Sequence, residues 1–227
     1  MLILGFDTAT PAVTVALVER GADGRRTVRA EASRIDPRRH GELLAPAITE
    51  VLRAGGATTS DLTEIAVGLG PGPYTGLRVG VVTALAFGDA LDRPVRGVCT
   101  LDVLAHAARR AGVTGPFLAA TDARRKEVYW ARYEADGTRT AGPSVDRPAD
   151  VPGAGALPAV GTGAALYPET FGDVRPPDHP SAAELADLVA VRLAEGGELL
   201  PPEPLYLRRP DARAPGAPKK VTAGGVS

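Results

Sequence analysis

The sequence predicts an α/β fold, mixed sheet with helices packed against it. Three observations lead there. Short apolar, alternating strands open the chain. A strand at Glu64–Leu69 runs through a Gly-Pro turn directly into a long apolar helix. Another strand follows at Pro94–Val98. Antiparallel strands followed by αβα elements build a mixed sheet with helices on it. At 227 residues the chain allows one large domain or two small ones, and 44% hydrophobic residues can fill a sizeable core.

Composition excludes several functions. A net charge of −1 argues against a protein that holds nucleic acid mainly by its overall field. The only lysines are Lys126, Lys219 and Lys220, and none follows a glycine-rich turn. That removes a P-loop NTPase, whose phosphate lysine sits at the helix start. The single cysteine, Cys99, excludes a disulfide framework and suits a reducing compartment. No apolar run approaches the roughly 20 residues of a membrane-spanning helix, and no basic region precedes a signal-like core. A soluble, cytoplasmic protein with no membrane association is the expectation.

Taken in order, Leu2–Phe6 is a short apolar strand ending in Asp7-Thr8-Ala9-Thr10-Pro11. Ala12–Glu19 alternates, with Val13, Val15 and Leu17 on one face. Gly21–Gly24 is a hairpin turn and Thr27–Ser33 a third strand. The Asp-Thr tip reads two ways: as a polar hairpin tip that meets phosphate or magnesium, or as an Asx-type turn that satisfies its own backbone. Arg38–Ala54 is a helix whose apolar rows, Leu43, Ala47, Val51 and Leu44, Ile48, Leu52, sweep about half the circumference at about 100° per residue. A surface helix needs only a stripe of about 100°, so this face is expected to meet something outside the chain. Pro46 removes one helical hydrogen bond within it. His40 has no second histidine or cysteine at ligand spacing.

Gly68–Leu91 is the most distinctive stretch. Gly70, Gly72 and Pro73 end the strand, and Thr75 is the expected cap of the next helix. Gly76, Gly80 and Ala84 leave one helix face nearly bare, which invites another helix to approach closely. Leu77, Val81, Val82 and Leu85 cover the opposite face. Thr100–Ala111 is a helix with Thr100 as its cap. Gly115–Asp122 and Glu127–Glu134 form a hairpin closed by Ala123-Arg124-Arg125-Lys126. Those three cations are either a solvated turn or a contact for phosphates or an acidic partner. Asp136–Pro180 is rich in Gly, Pro and Ala, with short strands such as Ala159–Gly161. Ser181–Glu184 is a capping box before a helix to Glu195, and 211–227 reads as a mobile tail.

Ordered landmarks then match a known family. ILGFDTAT at Ile3–Thr10, RHGELLAP at Arg39–Pro46, the block Gly68–Gly80, DARRKEVYW at Asp122–Trp130 and LYLR at Leu205–Arg208 occur in sequence. Together they resemble the TsaB (YeaZ) family of bacterial tRNA threonylcarbamoyladenosine biosynthesis proteins. The Gly68–Gly80 block is the specific part. The resemblance implies an actin-like, ASKHA (ribonuclease H-like) fold of two lobes, mixed sheets flanked by helices, at 1–100 and 101–210, the second reduced.

It also implies a role. Members are non-catalytic scaffolds that work with TsaD, the paralogue that transfers a threonylcarbamoyl group to adenosine 37 of tRNAs reading ANN codons. TsaE, an ATPase, joins them, and tRNA is met only through the complex. Alone, members form a homodimer through the two N-terminal-lobe helices, a surface TsaD can also use. The candidate interface is therefore Leu43, Leu44, Ala47, Ile48 and Val51 on the first helix, with Gly76, Gly80, Thr83, Ala84 and Phe87 on the second. TsaD binds metal through two histidines four residues apart; the matching positions here are Thr100 and Leu104, and leucine offers no donor atom. No catalytic residue, metal or cofactor is expected. The alternative is an actin-like ATPase or small-molecule kinase. It would use Asp7, Thr8, Gly70, Gly72, Thr75 and Gly76 for phosphate, although Pro71 and Pro73 donate no N–H.

Overall fold

A computed structural model describes residues 1–197 and 199–208. Strands β1 (Leu2–Asp7), β2 (Ala12–Arg20) and β3 (Arg26–Ile35) form an antiparallel meander. Helix α1 (His40–Ala54), β4 (Glu64–Gly68), α2 (Tyr74–Leu91) and β5 (Val95–Val98) come next, with β4 parallel to β1 and β5 parallel to β4. The sheet order is β3-β2-β1-β4-β5. Every residue of β1 is buried, as suits a central strand covered on both faces. The edge strand β3 instead carries charged residues toward solvent.

The same plan recurs. After α3 (Thr100–Arg110) come β6 (Phe117–Asp122), β7 (Val128–Tyr133) and β8 (Arg139–Asp146), again an antiparallel meander. β9 (Ala159–Val160), the one-turn helices α4 (Thr162–Ala165) and α5 (Pro168–Phe171), and β10 (Val174–Arg175) complete the second sheet, before α6 (Ala182–Glu195). Its order, read from the meander edge, is β8-β7-β6-β9-β10, the first sheet's topology repeated. The second half is thinner. The four-residue α4 and α5 stand between β9 and β10, where the first half has the 18-residue α2. Only a 3-10 turn at Pro148–Asp150 stands between β8 and β9, where the first half has the 15-residue α1.

The halves are interlocked by an exchange of helices. Leu101, Leu104, Ala105 and Ala108 of α3 pack with Phe117, Ala119, Tyr133 and Val160 of the second sheet. Ala182, Leu185, Ala186 and Val189 of α6 pack with Ile3, Ala16, Val18 and Ala66 of the first. The approach is close: a Cβ on Gly5 would lie 2.8 Å from the carbonyl oxygen of Ala182. Of the segment expected as a second lobe, 101–210, the last helix thus packs in the first sheet's core, because that sheet's back face is apolar and needs a cover.

Buried ion networks tie the exchange down. Asp102 on α3 accepts from Tyr133 Oη at 2.8 Å, Arg139 Nη1 at 3.0 Å and Arg192 Nη2 at 3.0 Å. Asp187 on α6 meets Arg20 at 2.8 Å and His106 at 3.1 Å. Cys99 lies fully buried at the α3 start, where burial and the neighbouring Asp102 push its thiol up to about 12.

Several expected details change. Ser181 caps α6 as expected, its side chain accepting from the N–H of Glu184 at 3.4 Å. Thr75 caps nothing: α2 starts at Tyr74, behind Pro73. Thr100 is the first residue of α3 rather than its cap, because its hydroxyl is engaged elsewhere. Within Asp136–Pro180 the strand β8 is an addition to the expected elements. It is an edge strand holding Gly142 and Pro143, which weaken its pattern. The tail at 211–227 lies outside the described residues. Among the described residues, no helix is long and apolar enough to cross a membrane.

Candidate functional site

The first candidate site is the β1–β2 tip, and its polar atoms are consumed within the chain. Asp7 and Thr8 are fully buried. Asp7 Oδ1 accepts from the N–H of Ala9 at 2.7 Å, and Oδ2 accepts from Thr100 Oγ1 at 2.6 Å. Thr100 Oγ1 in turn accepts from the N–H of Gly70 at 3.1 Å. Thr8 Oγ1 donates to the carbonyl of Gly76 at 2.8 Å, and His40 Nε2 donates to the carbonyl of Thr10 at 2.8 Å. Burial raises the Asp7 carboxyl above its ordinary range, against the hydrogen bonds from Thr100 and Ala9 and the charge of His40.

The glycines of the next turn close over this tip. A Cβ at Gly72 would sit 2.1 Å from the carbonyl oxygen of Ala9, and one at Gly76 2.6 Å from that of Thr8. A Cβ at Gly68 would overlap Asp7 itself. The glycines are required for backbone to touch backbone. Of the residues assigned to phosphate, Asp7, Thr8, Gly70, Gly72 and Gly76 are brought together but buried, and only Thr75 is exposed. The Asx-turn reading is thus the one these contacts describe.

The second candidate is the helix pair α1/α2, most of whose expected interface residues face into this chain. Leu44, Ala47, Ile48 and Val51 are buried in this chain's own core with Val13, Val15, Leu17 and Val67. Leu43 and Phe87 are half-buried against the same cluster. Gly76, Gly80 and Ala84 face inward, with a Cβ on Gly80 placed 2.5 Å from Thr8 Oγ1. Thr83 is half-buried on that flank. The close neighbour invited by the bare face is the β1–β2 tip, with the start of α1 beside it: Gly76 meets His40 and Gly41 meets Val79. The apolar arc of α1 is wide because sheet and α2 both cover it. The outward arc of α2 is a different set of residues: Tyr74, Arg78, Val82 and Leu85 are exposed, Val82 by 60%.

The third feature is the β6–β7 tip. Asp122 Oδ1 accepts from the N–H of Arg124 at 2.7 Å, the same Asx turn as at Asp7. Arg124, Arg125 and Lys126 come next, with φ of 61°, 57° and 61°. Arg208 donates to the carbonyl of Ala123 at 2.8 Å and pairs with Glu127, so the C-terminal LYLR segment clamps the tip. Tyr206 of that segment stacks on Tyr74 with ring centroids 5.0 Å apart. The sequence alone assigns LYLR no role; its signal is a Tyr and an Arg two apart, too short to interpret by itself.

Among the described residues, one cluster has the composition of a metal site: His106, Glu184 and Asp187, with ligand atoms within 4.8 Å of one another. Its charge is already met by Arg20, Arg26 and Arg110, at 2.8, 2.8 and 3.1 Å from the carboxylates. Burial works to raise Asp187, but the hydrogen bond from His106 and the charges of Arg26 and Arg110 hold it below its ordinary range. This is an ionic staple between α3, α6 and the β2–β3 hairpin.

Comparison with known proteins adds the family. The model of the family described as TsaD, tRNA N6-adenosine threonylcarbamoyltransferase, matches residues 33–170. A structure of YeaZ from Pseudomonas aeruginosa superposes with a TM-score of 0.75 and 30% identity, covering 91% of this chain and 99% of that one. The chain belongs to the TsaB (YeaZ) family. A second Pseudomonas aeruginosa structure, described as similar to peptidase YEAZ, gives a TM-score of 0.76 at 32% identity, with the same shares of both chains covered. An uncharacterized Mycobacterium tuberculosis protein is 45% identical over 214 residues, 93% of each chain. The Escherichia coli tRNA threonylcarbamoyladenosine biosynthesis protein TsaB is 39% identical over 136 residues, 60% of this chain and 56% of that one.

The landmarks of the TsaB resemblance now have places in the structure. ILGFDTAT is β1 and its sealed tip, GLGPGPYTGLRVG is the turn over that tip, and DARRKEVYW is the clamped cationic tip. Thr100 and Leu104 lie in the core: Thr100 serves Asp7 and Leu104 packs in the α3 cluster.

Proposed function

We propose that the chain is a non-catalytic assembly subunit of the complex that forms N6-threonylcarbamoyladenosine at position 37 of tRNAs reading ANN codons. It binds TsaD, allows TsaE to join, and forms a homodimer when alone. The observation that carries this reading is the outward arc of α2. Val82 and Leu85, exposed by 60% and 45%, stand beside Tyr74 on a helix whose other faces are covered by this chain. Exposed apolar side chains gathered on one face mark a docking surface. The sealed tip supports the non-catalytic part. A nucleotide phosphate needs free donors, whereas Thr8, Gly70 and Thr100 spend theirs on neighbours in the chain.

The alternative ATPase or kinase gains no support from this geometry. The test is a reconstitution of tRNA modification from TsaD, TsaE, the threonylcarbamoyl-adenylate and tRNA, with and without this chain. The proposal expects modification only when the chain is present. Equal rates without it overturn the proposal. In the same assay Asp7→Asn, if folded, leaves the rate unchanged; loss of the rate with normal assembly favours the enzyme.

A further inference from the structure

Beside the clamped β6–β7 tip lies a pocket of about 220 Å³ with an unusual lining. Its walls include Tyr74, Tyr129 and Tyr206, and its cations are Arg124, Arg125 and Arg208; Arg124 pairs with Asp122 at 3.2 Å and Arg208 with Glu127, both carboxylates standing outside the lining. The whole chain carries a net charge of −1, so this concentration of arginine is local. The backbone under it is held in a conformation that L-residues avoid. Three consecutive residues with large basic side chains occupy the left-handed region, at φ of 61°, 57° and 61°. Glycine would fill those positions without strain. Strain of this kind persists where the surroundings over-determine it, and it gathers at binding sites. Asp122 on one side and Arg208 on the other supply that over-determination.

We propose that this pocket takes one nucleotide of a single-stranded RNA, its phosphate on the Arg124–Arg125 tip and its base against Tyr206. Single-strand sites combine cations that track the phosphates with aromatic rings on which bases stack. Both are present within one small pocket. Tyr206 is 40% exposed while braced on Tyr74. An acidic peptide accounts for the arginines but leaves the aromatic walls without a use. A duplex is too wide for the space. The assignment rests on the proposed role in tRNA modification for the identity of the RNA, and adds to it a direct contact by this chain.

The test is fluorescence anisotropy of a labelled seven-nucleotide single-stranded RNA titrated with the full chain, without TsaD, over a series of salt concentrations. Arg124→Gly/Arg125→Gly relieves the backbone strain and gives up the exposed Arg124–Asp122 pair, two small opposing changes, so the variant is expected to fold with a melting temperature close to the parent's. It is expected to weaken binding about tenfold or more and to flatten the slope of log affinity against log salt by about 0.7 for each phosphate that is no longer neutralised. Tyr206→Ala is expected to weaken binding about fivefold or more with the slope unchanged. The proposal is overturned if the parent chain does not bind the RNA at low salt, if the variants bind as well as the parent, or if a polyglutamate peptide binds with the same dependence on both sites. Failure of the parent chain to co-purify with TsaD would instead count against the assembly role, so the two failures are distinguishable.

Discussion

The two halves of the molecule end their central strands in the same way and use the result oppositely. β1 ends at Asp7 and β6 at Asp122, and each carboxylate accepts from the N–H two residues on, at 2.7 Å in both. In the first half, glycines let the following turn collapse onto the tip until Asp7 and Thr8 are fully buried. In the second, Arg124, Arg125 and Lys126 stay exposed, held in left-handed backbone by Asp122 and Arg208. One topology has thus given a sealed structural joint and an open cationic edge. The difference lies in the residues around the aspartate: small ones that permit closure, or long cations that prevent it.

The largest expected effect is at the seal. Gly72→Ala places a methyl group 2.1 Å from the carbonyl oxygen of Ala9, backbone against backbone. We expect a loss of about 3 kcal/mol or more in urea unfolding. Next is Asp7→Ala, which strands the hydroxyl of Thr100 and the N–H of Ala9 in the core; a cost of about 2–4 kcal/mol is expected in the same measurement.

The interlobe staple gives a pH-dependent effect. The Asp187 carboxyl is lowered in the folded chain, so its contribution is present above its unfolded value near 3.8 and is lost as pH falls through the folded value. Asp7 is raised, so its contribution has the opposite sign: it favours the fold when protonated and declines as pH rises from about 3.8 to the folded value. Stability curves from pH 2 to 6 are expected to show less acid destabilisation for Asp187→Asn than for the parent, and Asp187→Asn is expected to be weaker by about 2 kcal/mol at neutral pH. An unchanged acid limb would break this account of the staple.

The smallest effect is at the open tip. Arg124→Gly is expected to stabilise by up to about 1 kcal/mol, read as a rise in melting temperature, because φ of 61° suits glycine and the exposed pair with Asp122 that it gives up is weak. The matching change at the sealed tip has no counterpart, since its glycines are already present.

The same contrast separates the legible parts of the sequence from the illegible ones. The α/β class and the helix ends at Ala54, Leu91 and Glu195 were legible, because apolar rows and cap residues are local signals. The direction of the Gly76–Gly80 face was not. A bare helix face invites close approach, but sequence alone cannot say whether the visitor is a partner helix or the chain's own hairpin; here it is Thr8. The burial of Leu44, Ile48 and Val51 by both sheet and α2 escaped for the same reason, being a tertiary fact. α4, α5 and β10 are two to four residues long and carry no period to read. The clamp by Arg208, 85 residues from Ala123, left no local trace.

The outward face of α2 carries the central claim, and one measurement addresses it. Gly80→Arg would confound the test by striking Thr8, whereas Val82 and Leu85 point outward. Their replacement is expected to change stability by no more than about 0.5 kcal/mol each. Titration calorimetry of Val82→Arg/Leu85→Arg with TsaD should show binding reduced at least a hundredfold in a variant that melts like its parent. Unaltered affinity in that folded variant would contradict the account.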